Sequence, residues 1–193
     1  MRDMKRLGRY LIGRERVQIR FERQDRCNIV DVWTDTDYAG CMETRKSTSG
    51  GLVLIGRHMI KGWSNTQSVI ALSSGEAEFY GLVRGTSIGI GVRGLMQDLG
   101  MEFRVRTSTD SSAALGISKR RGLGKVRHIE LNQLWIQDKV VTGEIEVRKV
   151  RGEDNRADAL TKHVDQGQIG RHMEWTGQTI EGGRHQLAPE IER

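Results

Sequence analysis

With one proline and two cysteines among 193 residues, the chain is poor in both. Cys27 and Cys41 form no CxxC pair and no Cys/His cluster. A zinc site is therefore disfavoured, and a reducing compartment is the default. The 24 glycines are spread along the chain rather than gathered, which excludes a low-complexity linker. The longest apolar runs fall far short of a membrane span, and no apolar N-terminal stretch precedes a cleavage site. An intracellular protein, cytoplasmic or nuclear and not secreted, is the expectation, with no membrane partner. No Ser/His or Cys/His nucleophile pattern suggests a covalent route. No reverse transcriptase active-site motif is present, so this chain has no polymerase activity of its own.

What the chain does have is positive charge and enough length for one domain with a real core. Its net charge is +6, its isoelectric point is near 9.6, and 36% of its residues are hydrophobic. A basic surface favours a polyanionic partner, though many basic proteins bind none. The charge is uneven. Residues 1–27 carry nine Lys/Arg and four Asp/Glu, whereas residues 164–193 carry three and five. The sequence divides accordingly into a basic connecting segment (1–27), a periodic middle (28–163) and a polar tail (164–193). The tail is expected to be poorly ordered.

Within the middle, 28–35 reads as a strand, and 50–56 with 58–64 reads as a hairpin about Gly56-Arg57. Residues 73–100 read as a helix, with Ser73 and Glu76 as a capping box and Gly100 as its stop. A strand over 103–110, a short helix over 111–118, a helix over 128–143 and a strand over 144–150 follow. The last element is read as a helix over 153–163, capped by Asp154 or Asn155. Three early strands followed by alternating strands and helices predict a mixed sheet with helices on its faces. Gly81, Gly85 and Gly89 recur every fourth residue in the long helix. Each costs roughly 1 kcal/mol against Ala there. Either the stripe permits a close approach, or it is drift in a marginally stable chain.

Acidic residues stand at element ends. In "DVWTDTDYAG", Asp31, Asp35 and Asp37 share one face of a strand, where like charges repel. Asp110 ends the fourth strand, Glu78 lies in the first turns of the long helix, and Asp158 lies in the last element. Each has an ordinary reading: a turn residue, the N-cap of the next helix, or an i,i+4 partner for Lys162. Glu76 and Glu78 point about 200° apart on a helix, and Glu76 is taken by the cap. If the first and fourth strands are parallel neighbours, Asp35 and Asp110 converge at their carboxyl ends. Four clustered carboxylates need cations. Oxygen ligands without His or Cys select Mg²⁺ or Mn²⁺, two of which can cleave a phosphodiester. His58, His163, His172 and His185 show no ligand spacing.

The words "DTDYAGCMETRKSTSGGLVLIG", "ALSSGEAEFYGL", "RTSTDSSAALGIS", "VRHIELNQLWIQDKV" and "GEIEVRKVRGEDNRADALTK" occur in this order. In them the chain resembles the ribonuclease H domain of copia-type LTR retrotransposon Pol polyproteins, over about residues 30–163. "RLGRYLIG" resembles the segment that joins a reverse transcriptase to that domain. The resemblance implies a ribonuclease H-like α/β fold, a five-stranded mixed sheet in order 3-2-1-4-5 flanked by helices. It also implies a D-E-D-D site of Asp35, Glu78, Asp110 and Asp158 holding two Mg²⁺ or Mn²⁺ ions. Asp31 is then a strand-edge charge and Asp37 a turn acid. Cys41 stands where many relatives have an acid. "VRGEDNRAD" lacks the His that some relatives carry before the last helix.

The implied activity is metal-dependent endonucleolytic hydrolysis of the RNA strand in RNA–DNA hybrids. A reverse transcriptase domain of the same polyprotein is the implied partner. Main-chain groups near Ala39 and Gly40 are candidates for reading a 2′-hydroxyl. Lys119, Arg120, Arg121, Lys125 and Arg127, in the basic run 118–127, are candidates for phosphate contact. His128 stands where relatives touch substrate or pack locally. Two other readings compete. An integrase or transposase nuclease would end its acid set in Glu and lack the early helix Glu. A retroelement relic would bind nucleic acid without cutting it.

Overall fold

The computed structural model describes residues 2–14, 16–124, 129 and 133–183. Its centre is a five-stranded sheet: β2 (Ile29–Asp37), β3 (Thr48–Ile55), β4 (His58–Thr66), β5 (Arg104–Thr109) and β6 (Ile145–Lys149). The order β4-β3-β2-β5-β6 is antiparallel from β4 to β2 and parallel from β2 to β6. Counted within the sheet, this is the 3-2-1-4-5 arrangement that the resemblance implies. Gly56 sits at φ +61° in the β3–β4 turn, a conformation that favours glycine.

Alternation along β2 sorts its side chains. Val30, Val32, Thr34 and Thr36 are buried against α2 (Ser74–Asp98), while Trp33 and Asp35 are buried on the other face. The larger core joins Val30, Val32, Val53, Phe79, Leu82 and Val105 to residues of α3 (Ser112–Lys119), α4 (Trp135–Val141) and β6. A smaller cluster on the opposite face holds Trp33, Leu52, Leu54 and Ala157.

The glycine stripe of α2 matches the strand beneath it. A Cβ on Gly81 would lie 2.5 Å from Thr36 Oγ1, and one on Gly89 would lie 2.5 Å from Val32 Cγ2. Between them, Gly85 faces Thr34. Four helical residues rise about 6 Å, and two strand residues rise about 6.6 Å. The two repeats stay in step, so the helix backbone lies directly on β2. Gly91 and Gly94 have no atom within 4 Å of a built Cβ.

Two segments differ from the sequence reading. Residues 153–163 form no α-helix but two short 3₁₀ turns, Gly152–Asp154 and Asp158–Leu160. Asn155 is the reason. Its side chain donates to Thr34 O (3.0 Å) and accepts from the Ala157 amide (3.2 Å), pinning the chain to the sheet before a helix can propagate. Asp154 pairs with Arg151 rather than capping. Beyond it, where composition predicts little order, the chain forms α5 (Gln166–Trp175) under a capping box of Asp165 and Gln168. β7 (Gln178–Glu181) then pairs antiparallel with β1 (Arg16–Ile19), which follows α1 (Arg2–Leu11). The front of the helix expected over 128–143 lies outside the described residues, as do Lys125, Arg127, His128 and His185. Among the described residues, no helix is long and apolar enough to cross a membrane.

Candidate active site

Register brings the first two acids together. In the parallel β2–β5 pair, Trp33 lies opposite Ser108. Two residues further along each strand are Asp35 and Asp110, on the same face at the carboxyl ends. Asp110 does not cap α3. Ser111 does, accepting from the Ala114 amide at 3.1 Å.

Asp158 arrives from the second 3₁₀ turn. Oxygens of Asp35, Asp110 and Asp158 all lie within 4.8 Å of one another. The turn can come this close because Asp35 is paired across the sheet with Gly50. A Cβ at Gly50 would fall 2.7 Å from Thr161 Cγ2 and 2.8 Å from Leu160 Cβ. Thr161 Oγ1 donates to Asp35 Oδ2, and Lys162 Nζ reaches both Asp158 Oδ1 (2.7 Å) and Asp35 (3.3 Å). The i,i+4 pairing of Asp158 with Lys162 is therefore present, but Lys162 also touches the buried acid. Burial raises the pKa of Asp35, opposed by the Thr161 hydrogen bond and the Lys162 charge. Burial alone would lower the pKa of Lys162. Its hydrogen bond to Asp158 and the charges of both acids hold it above the usual lysine range.

Glu78 comes from the opposite side, on the first turns of α2. It stands outside the mutual spacing of the three aspartates but within reach of the charges of Asp35 and Asp110. Burial, then Asp35 and Asp110, pushes its carboxyl up to about 8. Its Oε2 is buried without a hydrogen-bond partner. Glu76, two residues earlier, accepts from the Leu72 amide (2.8 Å) and the Tyr80 hydroxyl (2.7 Å), while Ser73 Oγ accepts from the Glu76 amide (3.2 Å). The two glutamates have separate employments, as their spacing requires.

Asp31 and Asp37 belong elsewhere. Asp31 binds Arg106 (3.1 Å), Arg148 (3.7 Å) and the Trp33 indole N–H (3.2 Å). Asp37 folds over Gly40, leaving no room there for a side chain. The Ala39 amide donates to Ser47 Oγ (3.0 Å), and Ala39 sits at φ +53°. In the basic run, Arg120 folds back onto the Leu123 carbonyl, while Lys119 and Arg121 are exposed.

Gly50, Thr161 and the contact of Lys162 with Asp35 were not singled out from sequence, and Asn155 was read only as a helix cap. Gly50 carried a signal, since Gly-Gly inside a strand marks a close approach. The others depend on a chain reversal that no local pattern announces.

Three converging carboxylates and a fourth acid with an orphaned buried oxygen, free of His or Cys, make a donor set suited to a hard divalent cation. The sheet order and this acid cluster define a ribonuclease H-like domain. Its sequence is similar to the retrovirus-related Pol polyproteins of transposons. The polyprotein of transposon TNT 1-94 from Nicotiana tabacum is 31% identical over 138 residues, which is 70% of this chain and 10% of that protein. The polyprotein of transposon RE1 from Arabidopsis thaliana is 27% identical over 165 residues, 84% of this chain and 11% of that protein. The chain thus spans about a tenth of the length of these relatives. No family model matches. Among solved structures, a ribonuclease H1 isolated from compost has a TM-score of 0.48 at 18% identity, over 69% of this chain and 93% of that one.

Proposed function

We propose that the domain hydrolyses the RNA strand of RNA–DNA hybrids, as part of a retrotransposon Pol polyprotein and beside a reverse transcriptase domain. The observation that carries this reading is the convergence of Asp35, Asp110 and Asp158 within 4.8 Å at the carboxyl ends of parallel strands. Asp35, Glu78, Asp110 and Asp158 would hold Mg²⁺ or Mn²⁺. Such ions, when bound, supply an activated water and stabilise the leaving oxygen.

The chain's own groups do the rest. β2 holds Asp35 fully buried, and the end of β5 sets Asp110 beside it. Thr161 orients the Asp35 carboxylate by donating to Oδ2. Asn155 anchors the turn that carries Asp158. Glu78 holds a proton near neutral pH, so cation binding at that carboxylate releases one. The Ala39 amide is already engaged by Ser47. A 2′-hydroxyl read here falls to Gly40 and the neighbouring carbonyls. Among the described residues of the basic run, Lys119 and Arg121 are exposed candidates for phosphate.

The test is gel analysis of labelled RNA in RNA–DNA, RNA–RNA and DNA–DNA duplexes, with Mg²⁺ or EDTA and with Asp35→Asn as control. Cleavage confined to the hybrid and lost in EDTA and in the variant is expected. Equal cleavage of all three duplexes would sink the hybrid-specific reading. Binding without cleavage would instead favour a catalytically inactive retroelement relic.

A further inference from the structure

Away from the acid cluster, a basin of about 480 Å³ opens where the β1–β7 ribbon meets α5 and the β3–β4 turn. Arg20, Arg57 and Arg156 line it with Trp175. Arg156 is the unusual member. Its guanidinium lies over two indole rings, 5.0 Å from the Trp33 centroid and 5.7 Å from that of Trp175. A cation–π contact holds the guanidinium by its charge and uses none of its five N–H donors as a conventional hydrogen bond. Among the described residues, Arg156 makes no ion pair or side-chain hydrogen bond; the charge of Asp31 reaches it but is shared with Arg106 and Arg148. Thr179 Oγ1, on the same wall, is buried and also without a partner.

The other two arginines are loosely held. Arg20 lies 3.8 Å from Glu181, and Arg57 lies 3.9 Å from Glu22, with the arginine side chains 59% and 70% exposed. Pairs of this length at such exposure contribute little and leave donors open. Glu22 and Glu174 also line the basin and Glu181 flanks Arg20, so the three arginines stand with three carboxylates and it is the looseness of their pairing, not an excess of charge, that leaves donors open; the His58 ring is already bonded to Glu22 O (2.8 Å) and to Gln24 (3.2 Å).

We propose that this basin binds a single-stranded nucleic acid, with a phosphate on Arg156, Arg20 and Arg57 and a base against Trp175. A concavity lined by loosely paired arginines and an aromatic side chain can hold a single strand by phosphate contact and stacking. The pocket is in the size range for one nucleotide and not for a duplex. An acidic peptide would satisfy the arginines but leave Trp175 unused. Trp33, on which Arg156 rests, precedes Asp35 by two strand residues, about 7 Å. The basin therefore begins on the same sheet face as the acid cluster. The choice of nucleic acid rests on the function proposed above; the binding itself does not require cleavage.

The test uses the full chain in EDTA, so that a failed nuclease assay and a failed binding assay are separate results. Fluorescence anisotropy of a labelled short single strand is measured against salt, with inorganic phosphate and polyglutamate as competitors. The double variant Arg20→Gln/Arg57→Gln, altered at exposed positions, should weaken binding and reduce the log–log salt slope by about 0.7 for each lost contact. Trp175→Leu should lower oligonucleotide affinity roughly tenfold and leave competition by inorganic phosphate unchanged. Arg156→Met should abolish the site. A thermal melt accompanies it, and the double variant carries the test if Arg156→Met does not fold. An unchanged slope and affinity in the double variant would overturn the proposal. Competition by polyglutamate as strong as by unlabelled oligonucleotide would overturn it too, and would mark an acidic-peptide surface.

Discussion

Glu78 is held in a place where its charged form is costly. Its carboxyl is pushed up to about 8 by burial and by Asp35 and Asp110. An unfolded chain would release that proton near the ordinary glutamate value of about 4.3. Between those two values the folded state binds more protons than the unfolded state. Stability of the cation-free protein therefore falls as pH rises through that window. In EDTA, the melting temperature should drop from pH 5 to pH 8, and Glu78→Gln should flatten that drop. A variant as steep as the parent would count against the buried, charge-crowded Glu78 described above. Thr161 gives a second residue-scale expectation. Thr161→Val removes the donor to a fully buried Asp35 oxygen. It should destabilise the cation-free protein by about 1–3 kcal/mol in urea unfolding, because the carboxylate loses a hydrogen bond where water cannot replace it.

At the scale of elements, α2 and β2 act as one unit because the helix repeat of four and the strand repeat of two advance by nearly the same distance. The glycines at 81, 85 and 89 let the helix backbone rest on Thr36, Thr34 and Val32. Gly85→Ala should cost about 1–3 kcal/mol, since a methyl group must displace a packed strand. Gly91→Ala points into open space, and removing a helical glycine should stabilise by up to about 1 kcal/mol. Chemical denaturation of the two variants separates close approach from drift: opposite signs support packing on β2, and equal gains would refute it. The last acid-bearing element shows the opposite relation between pattern and structure. "EDNRADALTKH" has the composition of a short helix. Asn155 is nevertheless buried on the β2 main chain, and only single 3₁₀ turns form on either side of it.

Across the whole molecule, charge and chain ends are arranged around the sheet. β1 and β7, from opposite ends of the described chain, pair with each other, and the Trp175 ring of α5 lies under the Arg156 guanidinium. The net charge of +6 makes binding to any polyanion salt-dependent. Each phosphate contact contributes a slope of about 0.9 in log affinity against log salt for duplexes. Lys119→Gln/Arg121→Gln should therefore reduce the slope for a hybrid by up to about 2 (two contacts at 0.9 each), measured by filter binding in EDTA. An unchanged slope would remove the 118–127 run from the interface. Arg120→Gln should do less to the slope and more to the loop, because Arg120 already holds the Leu123 carbonyl.

The sequence by itself determined the five central strands and the long helix, and it named the acids as candidates. Period-two alternation marked the strands. The Ser73 cap and Gly100, found at φ +74°, bounded the long helix. Helical spacing separated Glu78 from Glu76, and strand ends singled out Asp35 and Asp110. These are local signals, carried within a few residues by backbone sterics and hydrogen bonding. Only the tertiary structure decided which carboxylates meet, because that depends on register between strands 75 residues apart, such as Asp31 beside Arg106. It also decided that Gly50 clears space for Leu160 and Thr161, that Lys162 reaches Asp35, and that the tail pairs with the first strand. Such contacts join distant segments through packing and desolvation, and neither leaves a periodic trace in either segment alone.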